Sequence, residues 1–129
     1  MGTGVIEVSA GLVRRDGLLL ITRRKSGSHL GGLWEFPGGK REPDESWEQC
    51  LVRELHEELG ITVAVGPLRH ETVHAYPAKT VHLRFFEAEL VSGEPRAIDC
   101  AEVAWVRPAD LQHHEFPEAD LGLVSLLAG

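Results

Sequence analysis

The chain has 129 residues, 43% of them hydrophobic and 26% charged, which is enough to bury one hydrophobic core but short for two. Its formal net charge of −7 disfavours a nucleic-acid duplex as partner, because duplex binding depends on Lys and Arg that neutralise phosphates. No stretch approaches the roughly 20 apolar residues of a membrane span, and residues 1–10 lack a signal-peptide pattern. We therefore expect one domain over residues 1–129, cytoplasmic and soluble, without a membrane partner, as a monomer or weak homodimer.

The first third of the chain predicts a β-hairpin followed by irregular structure. Asp16-Gly17 is a favourable hairpin turn, and the segments on either side are rich in β-branched and aliphatic side chains. The predicted elements are strands over 5–13 and 18–22, a polar loop over 25–32, an extended piece over 33–36 and a break at 37–39.

A helix is predicted over residues 47–59. Ser46 and Gln49 form a capping-box signature at its start, and Gly60 stands where a left-handed C-terminal cap belongs. After this helix we predict strands over 61–65, 68–75, 80–90 and 102–106, a helical turn over 108–113 and a terminal helix over 117–127. This order predicts an α+β fold, in which helices cover a mixed sheet.

Three carboxylates share one sector of the predicted helix. At about 100° per residue, Glu57 and Glu58 lie about 60° and 40° on either side of Glu54, next to the apolar stripe that contains Leu51. Partly packed carboxylates this close raise one another's pKa unless a cation lies among them. Such a cluster of oxygen ligands suits Mg²⁺ or Mn²⁺. A plain amphipathic helix with surface ion pairs, such as Arg53 with Glu57, is the alternative.

The wider spacing favours the metal site. From Gly39 the sequence reads GKREPDESWEQCLVRELHEELGI, which is G-x5-E-x7-R-E-U-x-E-E-x-G-U with U aliphatic. This pattern resembles the Nudix box at every specified position. The resemblance implies an α/β/α sandwich with a mixed central sheet and the Nudix loop–helix–loop, and a Mg²⁺-dependent hydrolase in which Mn²⁺ can substitute.

The resemblance also implies roles for the residues of the box. Glu54, Glu57 and Glu58 would bind one to three divalent ions, and a backbone carbonyl of Gly38 or Gly39 would add a ligand. The residues that would tie the loop to the helix or end the helix are Glu45, Arg53 and Gly60. A further carboxylate is expected from the loop over 97–102, where Asp99 is preferred to Glu102.

Outside the box, the chain is similar to the MutT branch of the family, through residues 21–24 and 33–40, Trp105, and Phe116-Pro117 followed by Ala119. By that likeness Arg24 and His29 would hold the nucleotide and its phosphates. Glu35, Phe36 and Tyr76 would line the pocket for the base. Solvated surface positions for Arg24, His29 and Glu35, and core positions for Phe36 and Tyr76, are the alternatives.

Asp120 departs from the MutT pattern, which commonly has Asn at this position. An ionised Asp only accepts hydrogen bonds, from guanine N1–H and amino groups or from the amino group of cytosine. The resemblance implies hydrolysis of a nucleoside triphosphate to nucleoside monophosphate and pyrophosphate, with 8-oxo-dGTP as the first candidate substrate. The role implied by this activity lies in DNA repair and replication. CTP or a modified dCTP is the alternative substrate. A non-catalytic module that binds nucleotides or 8-oxoguanine is the alternative of another class.

Overall fold

The computed structural model describes residues 4–129, so only the first three residues of the N-terminal segment lie outside it. It contains seven strands: β1 (Ile6–Arg15), β2 (Leu18–Arg23), β3 (Trp34–Glu35), β4 (Gly38–Lys40), β5 (Thr62–Tyr76), β6 (Lys79–Ser92) and β7 (Glu102–Val106). Two α-helices, α1 (Trp47–Leu59) and α2 (Leu121–Ala128), accompany 3-10 helices at Pro108–His113 and Glu118–Asp120. No helix within residues 4–129 has the length and apolar character needed to cross a membrane.

The strands form one mixed sheet with the order β3-β2-β1-β6-β5; β4 also pairs with β1, and β7 with β2. β1 and β6 run parallel, and the other pairs are antiparallel. A hydrophobic cluster on one face joins the sheet to Leu51, Leu55 and Leu59 of α1. A second cluster joins it to Leu111 and Leu123 on the other side. The predicted mixed sheet covered by helices is confirmed, with its layers in the order α/β/α.

Local signals set several elements as predicted. Asp16 and Gly17 have φ angles of 52° and 78°, the pair of positive values that a tight hairpin turn requires. Ser46 accepts the backbone N–H of Gln49 and Gly60 adopts φ 71°, so α1 begins and ends where the capping residues predict. These turns and caps depend on neighbours in sequence, which explains why they could be read from it.

Three predicted elements differ from those observed. The break at residues 37–39 is replaced by β4, because Gly38 and Gly39 pair with Ala10 and Ser9 of β1. The two strands predicted over 61–65 and 68–75 are one strand, β5, because β6 pairs along its whole length and the chain between Val65 and Leu68 is accommodated as an irregularity in register. The predicted terminal helix begins later: Pro117 is extended, and α2 follows the 3-10 turn at Glu118–Asp120.

Candidate functional site

Helix α1 carries the predicted carboxylates at the border between buried and exposed surface. Leu51 and Leu55 are fully buried against the sheet, whereas Glu54 and Glu58 are partly buried and Glu57 is exposed. Glu54 and Glu58 line one cavity together with Gly38 and Gly39 of strand β4, which contacts α1 and pairs with β1. Because β4 pairs with β1, Gly38 and Gly39 lie next to the carboxylates of α1.

Arg53 connects the loop before α1 to the carboxylates of the helix. Its Nε and Nη2 donate to the two carboxylate oxygens of Glu45 at 2.9 and 2.6 Å, and Nη2 also donates to the carbonyl of Lys40 at 3.1 Å. Its Nη1 donates to Glu54 at 2.8 Å and to Glu57 at 3.0 Å. The guanidinium group holds the pKa of Glu45 at about 2. Arg53 therefore binds three carboxylates at once and fixes the loop against the helix.

A polar cavity of about 650 Å³ opens beside these residues. Among its lining groups are the carboxylates of Glu54, Glu58 and Asp99 and the backbone of Gly38 and Gly39. Burial, together with the neighbouring carboxyl of Glu54, raises the pKa of Glu58 to about 9. Glu57 is not among the lining residues, since it faces solvent and binds Arg53. The cavity therefore gathers three carboxyl groups, two of which already have a cationic partner, Arg53 for Glu54 and Lys25 for Asp99.

The donor set of this cavity fits a hard divalent cation. As they stand, no three His, Cys, Asp or Glu side chains within residues 4–129 are grouped tightly enough to hold a metal ion. However, Glu54 and Glu58 are adjacent carboxylates that repel each other, and a cation between them would relieve that repulsion. Gly39 allows the carboxylate of Glu54 to lie against strand β4, because a side-chain carbon at this position would collide with it. Oxygen donors of this kind suit Mg²⁺ and Mn²⁺.

The loop over residues 97–102 contributes Asp99 to the polar cavity, and Glu102 lies elsewhere. Asp99 is exposed and receives a hydrogen bond from Lys25 at 2.9 Å. Glu102 instead pairs with Arg23 at 3.2 Å. Of the two candidates for the additional carboxylate, only Asp99 therefore faces the cavity of Glu54 and Glu58.

A second cavity, of about 140 Å³, continues from the first. One water molecule needs about 10 to 15 Å³, so this space can hold a group of several heavy atoms. Its walls are largely apolar and include Phe36, Leu83 and Phe85, yet the carboxyl groups of Glu35 and Asp120 also line it. Both cavities share the same wall, formed by Arg24, Glu35, Gly38, Gly39 and Lys40.

Asp120 and Glu35 are acids in an apolar environment. Asp120 is only 4% exposed, and burial and the charge of Glu35 raise its pKa to about 7. Burial also raises the pKa of Glu35, although Arg24 opposes this with a hydrogen bond of 3.1 Å. Arg24 donates a second bond to the carbonyl of His29 at 2.7 Å, which fixes the loop over the cavity. Asp120 can therefore offer either a donor or an acceptor near neutral pH.

The remaining predicted pocket residues also lie at the second cavity. The ring of His29 meets the ring of Tyr76 edge-on at 5.6 Å, and both line the cavity. Burial and the charges of Lys79 and Arg24 lower the pKa of His29. Phe36 is 3% exposed, lines the cavity and packs on Phe116 in the core, so its core position and its pocket position coincide.

Sequence reasoning missed two lysines of the site. Lys40 lines both cavities, and Lys79 lines the second. Lys40 directly follows the two glycines and could have been found from that position, whereas Lys79 follows a turn without a motif. Burial and the charges of Lys40 and Arg24 lower the pKa of Lys79, so the three cations lie close together. They form a local basic patch on a chain of net charge −7, where an anionic group can bind.

The comparisons with known proteins agree with this arrangement. The family model described as NUDIX domain matches residues 9–126. The chain is 38% identical over 120 residues to the CTP pyrophosphohydrolase of Escherichia coli K12, covering 93% of this chain and 89% of that protein. It is 34% identical over 128 residues to the 8-oxo-dGTP diphosphatase of Haemophilus influenzae, covering 98% and 94% respectively.

The fold has a solved counterpart in the crystal structure of the MutT protein from Methanosarcina mazei Go1. The TM-score is 0.87 at 27% sequence identity, and the match covers 98% of this chain and 95% of that one. The family match spans most of the sequence, and two of the box carboxylates, Glu54 and Glu58, line the polar cavity in the structure. The chain belongs to the Nudix family and is a hydrolase that acts on phosphorus-containing anhydrides.

Proposed function

We propose that this protein is a Mg²⁺-dependent nucleoside triphosphate pyrophosphohydrolase that releases a nucleoside monophosphate and pyrophosphate, with 8-oxo-dGTP as its preferred substrate. The observation that carries the proposal is the pair of adjoining cavities. The apolar one, with Glu35 and Asp120, suits a base, and the polar one, with Glu54, Glu58 and Asp99, suits a metal-bound polyphosphate. Removal of oxidised guanine nucleotides from the cytoplasmic pool, before DNA replication uses them, is the role that follows.

Within this proposal each part of the site has one task. Glu54, Glu58 and Asp99 would hold the cation, Glu57 would join them on releasing Arg53, and a carbonyl of Gly38 or Gly39 would complete the set. Bound Mg²⁺ or Mn²⁺ would neutralise the polyphosphate and lower the pKa of an attacking water. The side chains of Arg24, Lys40 and Lys79 bind the phosphate oxygens as point charges or by hydrogen bonds. All of these groups come from one chain, so a monomer or weak homodimer suffices.

Base recognition is assigned to Asp120 and Glu35. An ionised Asp120 accepts from guanine N1–H and the adjacent amino group, and Glu35 offers an acceptor for the N7–H that oxidation to 8-oxoguanine creates. Phe36 and Tyr76 supply apolar surface for the ring, and His29 lines the same cavity. A buried hydrogen-bonding group discriminates strongly between bases, because the wrong base leaves it unpaired.

CTP or a modified dCTP is the second candidate substrate. It is favoured by the 38% identity to the Escherichia coli CTP pyrophosphohydrolase. The same carboxylate of Asp120 accepts from the amino group of cytosine, so the pocket chemistry is compatible with either base. A binding module without catalysis has less support, because the box carboxylates Glu54, Glu57 and Glu58 are all present.

The substrate is tested by measuring kcat/KM with Mg²⁺ for 8-oxo-dGTP, dGTP, CTP, dCTP and 5-methyl-dCTP side by side. A preference of at least about tenfold for 8-oxo-dGTP over dGTP, equal to about 1.4 kcal/mol, supports the first candidate. Higher values for the cytidine compounds would establish the second. Tight nucleotide binding without turnover of any compound would revive the binding module.

The bond that breaks is tested separately by hydrolysis in ¹⁸O-labelled water. We expect attack at the β-phosphorus, which places the label in pyrophosphate. Label in the nucleoside monophosphate would instead mean attack at the α-phosphorus and would contradict the proposed geometry.

A further inference from the structure

The side chain of Tyr76 reaches from the end of β5 to the turn that bears Asp120. Its hydroxyl oxygen accepts a hydrogen bond from the backbone N–H of Ala119 at 3.2 Å, across 43 positions of sequence. Ala119 immediately precedes Asp120, and both residues line the apolar cavity. The hydroxyl group therefore contacts the backbone next to the acid assigned to base recognition.

The turn at Glu118–Asp120 needs such a partner. The first N–H groups of a helical turn lack acceptors within the turn and are usually satisfied by a capping side chain. Here the capping position is Pro117, which supplies no side-chain hydrogen bond. Asp120 donates its own N–H to the carbonyl of Pro117 at 2.9 Å, which leaves the N–H of Ala119 for Tyr76. The tyrosine thus replaces the missing cap from a distant strand.

The ring of Tyr76 is itself held from two sides. It meets the ring of His29 at 5.6 Å and that of His74 at 4.5 Å. His74 in turn lies 3.3 Å from the carboxylate of Glu118 in the same turn. The cavity loop, the end of β5 and the turn before α2 therefore meet at this one side chain, so a shift of the hydroxyl would move the turn relative to the pocket.

We propose that Tyr76 is a positioning residue that determines base specificity through the hydrogen bond from Ala119, by fixing where the carboxyl group of Asp120 stands in the cavity. This inference rests on the proposed function, in which Asp120 reads the base. It assigns the discrimination between bases to the hydroxyl of Tyr76 as well as to its apolar ring.

The test is Tyr76→Phe, which keeps the ring and removes only the hydroxyl group. We expect the ratio of kcat/KM between the preferred and the disfavoured base to fall about five- to tenfold, the effect of one lost hydrogen bond. KM for the preferred substrate should rise by a similar factor, while kcat stays within about twofold. Ile61→Val serves as the control, because it removes one methyl group from the opposite core cluster at a comparable stability cost. The same loss of ratio in both variants would overturn the inference.

A double-mutant cycle with Asp120→Ala separates positioning from a direct effect of the hydroxyl on the base, because alanine leaves no base-reading group at position 120. If Tyr76 acts through Asp120, Tyr76→Phe should change the ratio in the native background and have little further effect beside Asp120→Ala. Fully additive effects, or an unchanged ratio in Tyr76→Phe, would contradict the inference and leave the proposed function standing. Absence of turnover in the unmodified protein would instead refute the proposed function itself.

Discussion

Arg53 and Glu45 form a two-point contact between helix α1 and the loop that precedes it, with Nε–Oε2 and Nη2–Oε1 distances of 2.9 and 2.6 Å. The same guanidinium group donates to Glu54 and Glu57. The contact requires a planar fork with several donors, which lysine does not have. The position of the carboxylates that we assign to cation binding therefore depends on the shape of one side chain as well as on its charge.

Arg53→Lys should reduce kcat/KM about 100-fold, the scale expected when reacting groups are misplaced by about 1 Å. Lysine keeps the positive charge, so a lower kcat/KM in this variant reports the lost hydrogen-bond geometry. We expect the free energy of unfolding to fall by about 2 kcal/mol, since hydrogen bonds to charged groups are lost. Steady-state kinetics and urea unfolding check both effects. Native activity in this variant would show that charge alone suffices.

Glu58→Gln should separate activity from stability. We expect kcat to fall by about three orders of magnitude, because several kcal/mol of charge stabilisation by the cation is lost. In EDTA at pH 8 the variant should unfold at the same temperature as the native protein or higher. Burial and Glu54 raise the pKa of Glu58 to about 9, so at pH 8 the native Glu58 must take up a proton on folding, which costs free energy that the neutral glutamine does not. Thermal unfolding followed by circular dichroism measures this. A lower melting temperature for Glu58→Gln than for the native protein would contradict the repulsion between Glu54 and Glu58.

The two glycines before Lys40 should respond differently to alanine. In Gly38→Ala the new methyl group would collide with the backbone carbonyl of Ser9, so β4 would separate from β1 and the protein should lose stability. In Gly39→Ala it would meet the side chain of Glu54, which can move away. We expect Gly39→Ala to fold and to lose most of its activity. Melting temperatures and kcat of both variants distinguish a backbone clash from a displaced ligand.

Asp120→Asn should alter the preference among bases without stopping the reaction. An amide presents a donor as well as an acceptor, whereas an ionised carboxylate presents acceptors alone. We expect kcat/KM ratios among 8-oxo-dGTP, dGTP and CTP to change by about tenfold or more, which is within the range of one buried hydrogen bond to a base. Measured ratios equal to those of the native protein would remove Asp120 from base recognition.

Asp120 also makes stability depend on pH. Its pKa rises from 3.8 to about 7 on folding, so the folded state binds more protons between these values and stability falls as the pH rises through this window. The loss should be complete above about pH 7. Urea unfolding of native protein and Asp120→Asn between pH 5 and 8 tests it: the stability advantage of the variant should grow up to about pH 7 and then remain constant. A difference in unfolding free energy that stays constant from pH 5 to 8 would contradict a raised pKa for Asp120.

Some of the fold and site followed directly from sequence because the deciding forces are local. The caps at Ser46 and Gly60 fixed helix α1, and its residue spacing placed Glu54 and Glu58 on one side. Strand β4 did not follow, because two glycines signal a break until a partner strand is known. Likewise, Glu57 shares the sector of the other carboxylates by helical angle, but its contact with Arg53 directs it to solvent.

Other features arise only from tertiary packing. Nothing near Asp120 in sequence indicates that it is 4% exposed, and its burial depends on strands that are distant in the chain. The approach of Lys79 to Arg24 and Lys40 depends on how the β5–β6 turn folds over the cavity. The register of a sheet and the path of a loop set such distances, and neither is encoded in a short motif.

The wall shared by the two cavities constrains how the enzyme can change during evolution. Arg24 and Glu35 line both cavities, whereas Asp120 lines the apolar one alone. If the polar cavity holds the phosphates and the apolar cavity the base, as we propose, a mutation at Glu35 would disturb both sides, whereas a mutation at Asp120 would act on the base side only. New base preferences should arise most readily at Asp120, so substrate choice can diverge among relatives while the hydrolytic machinery stays the same.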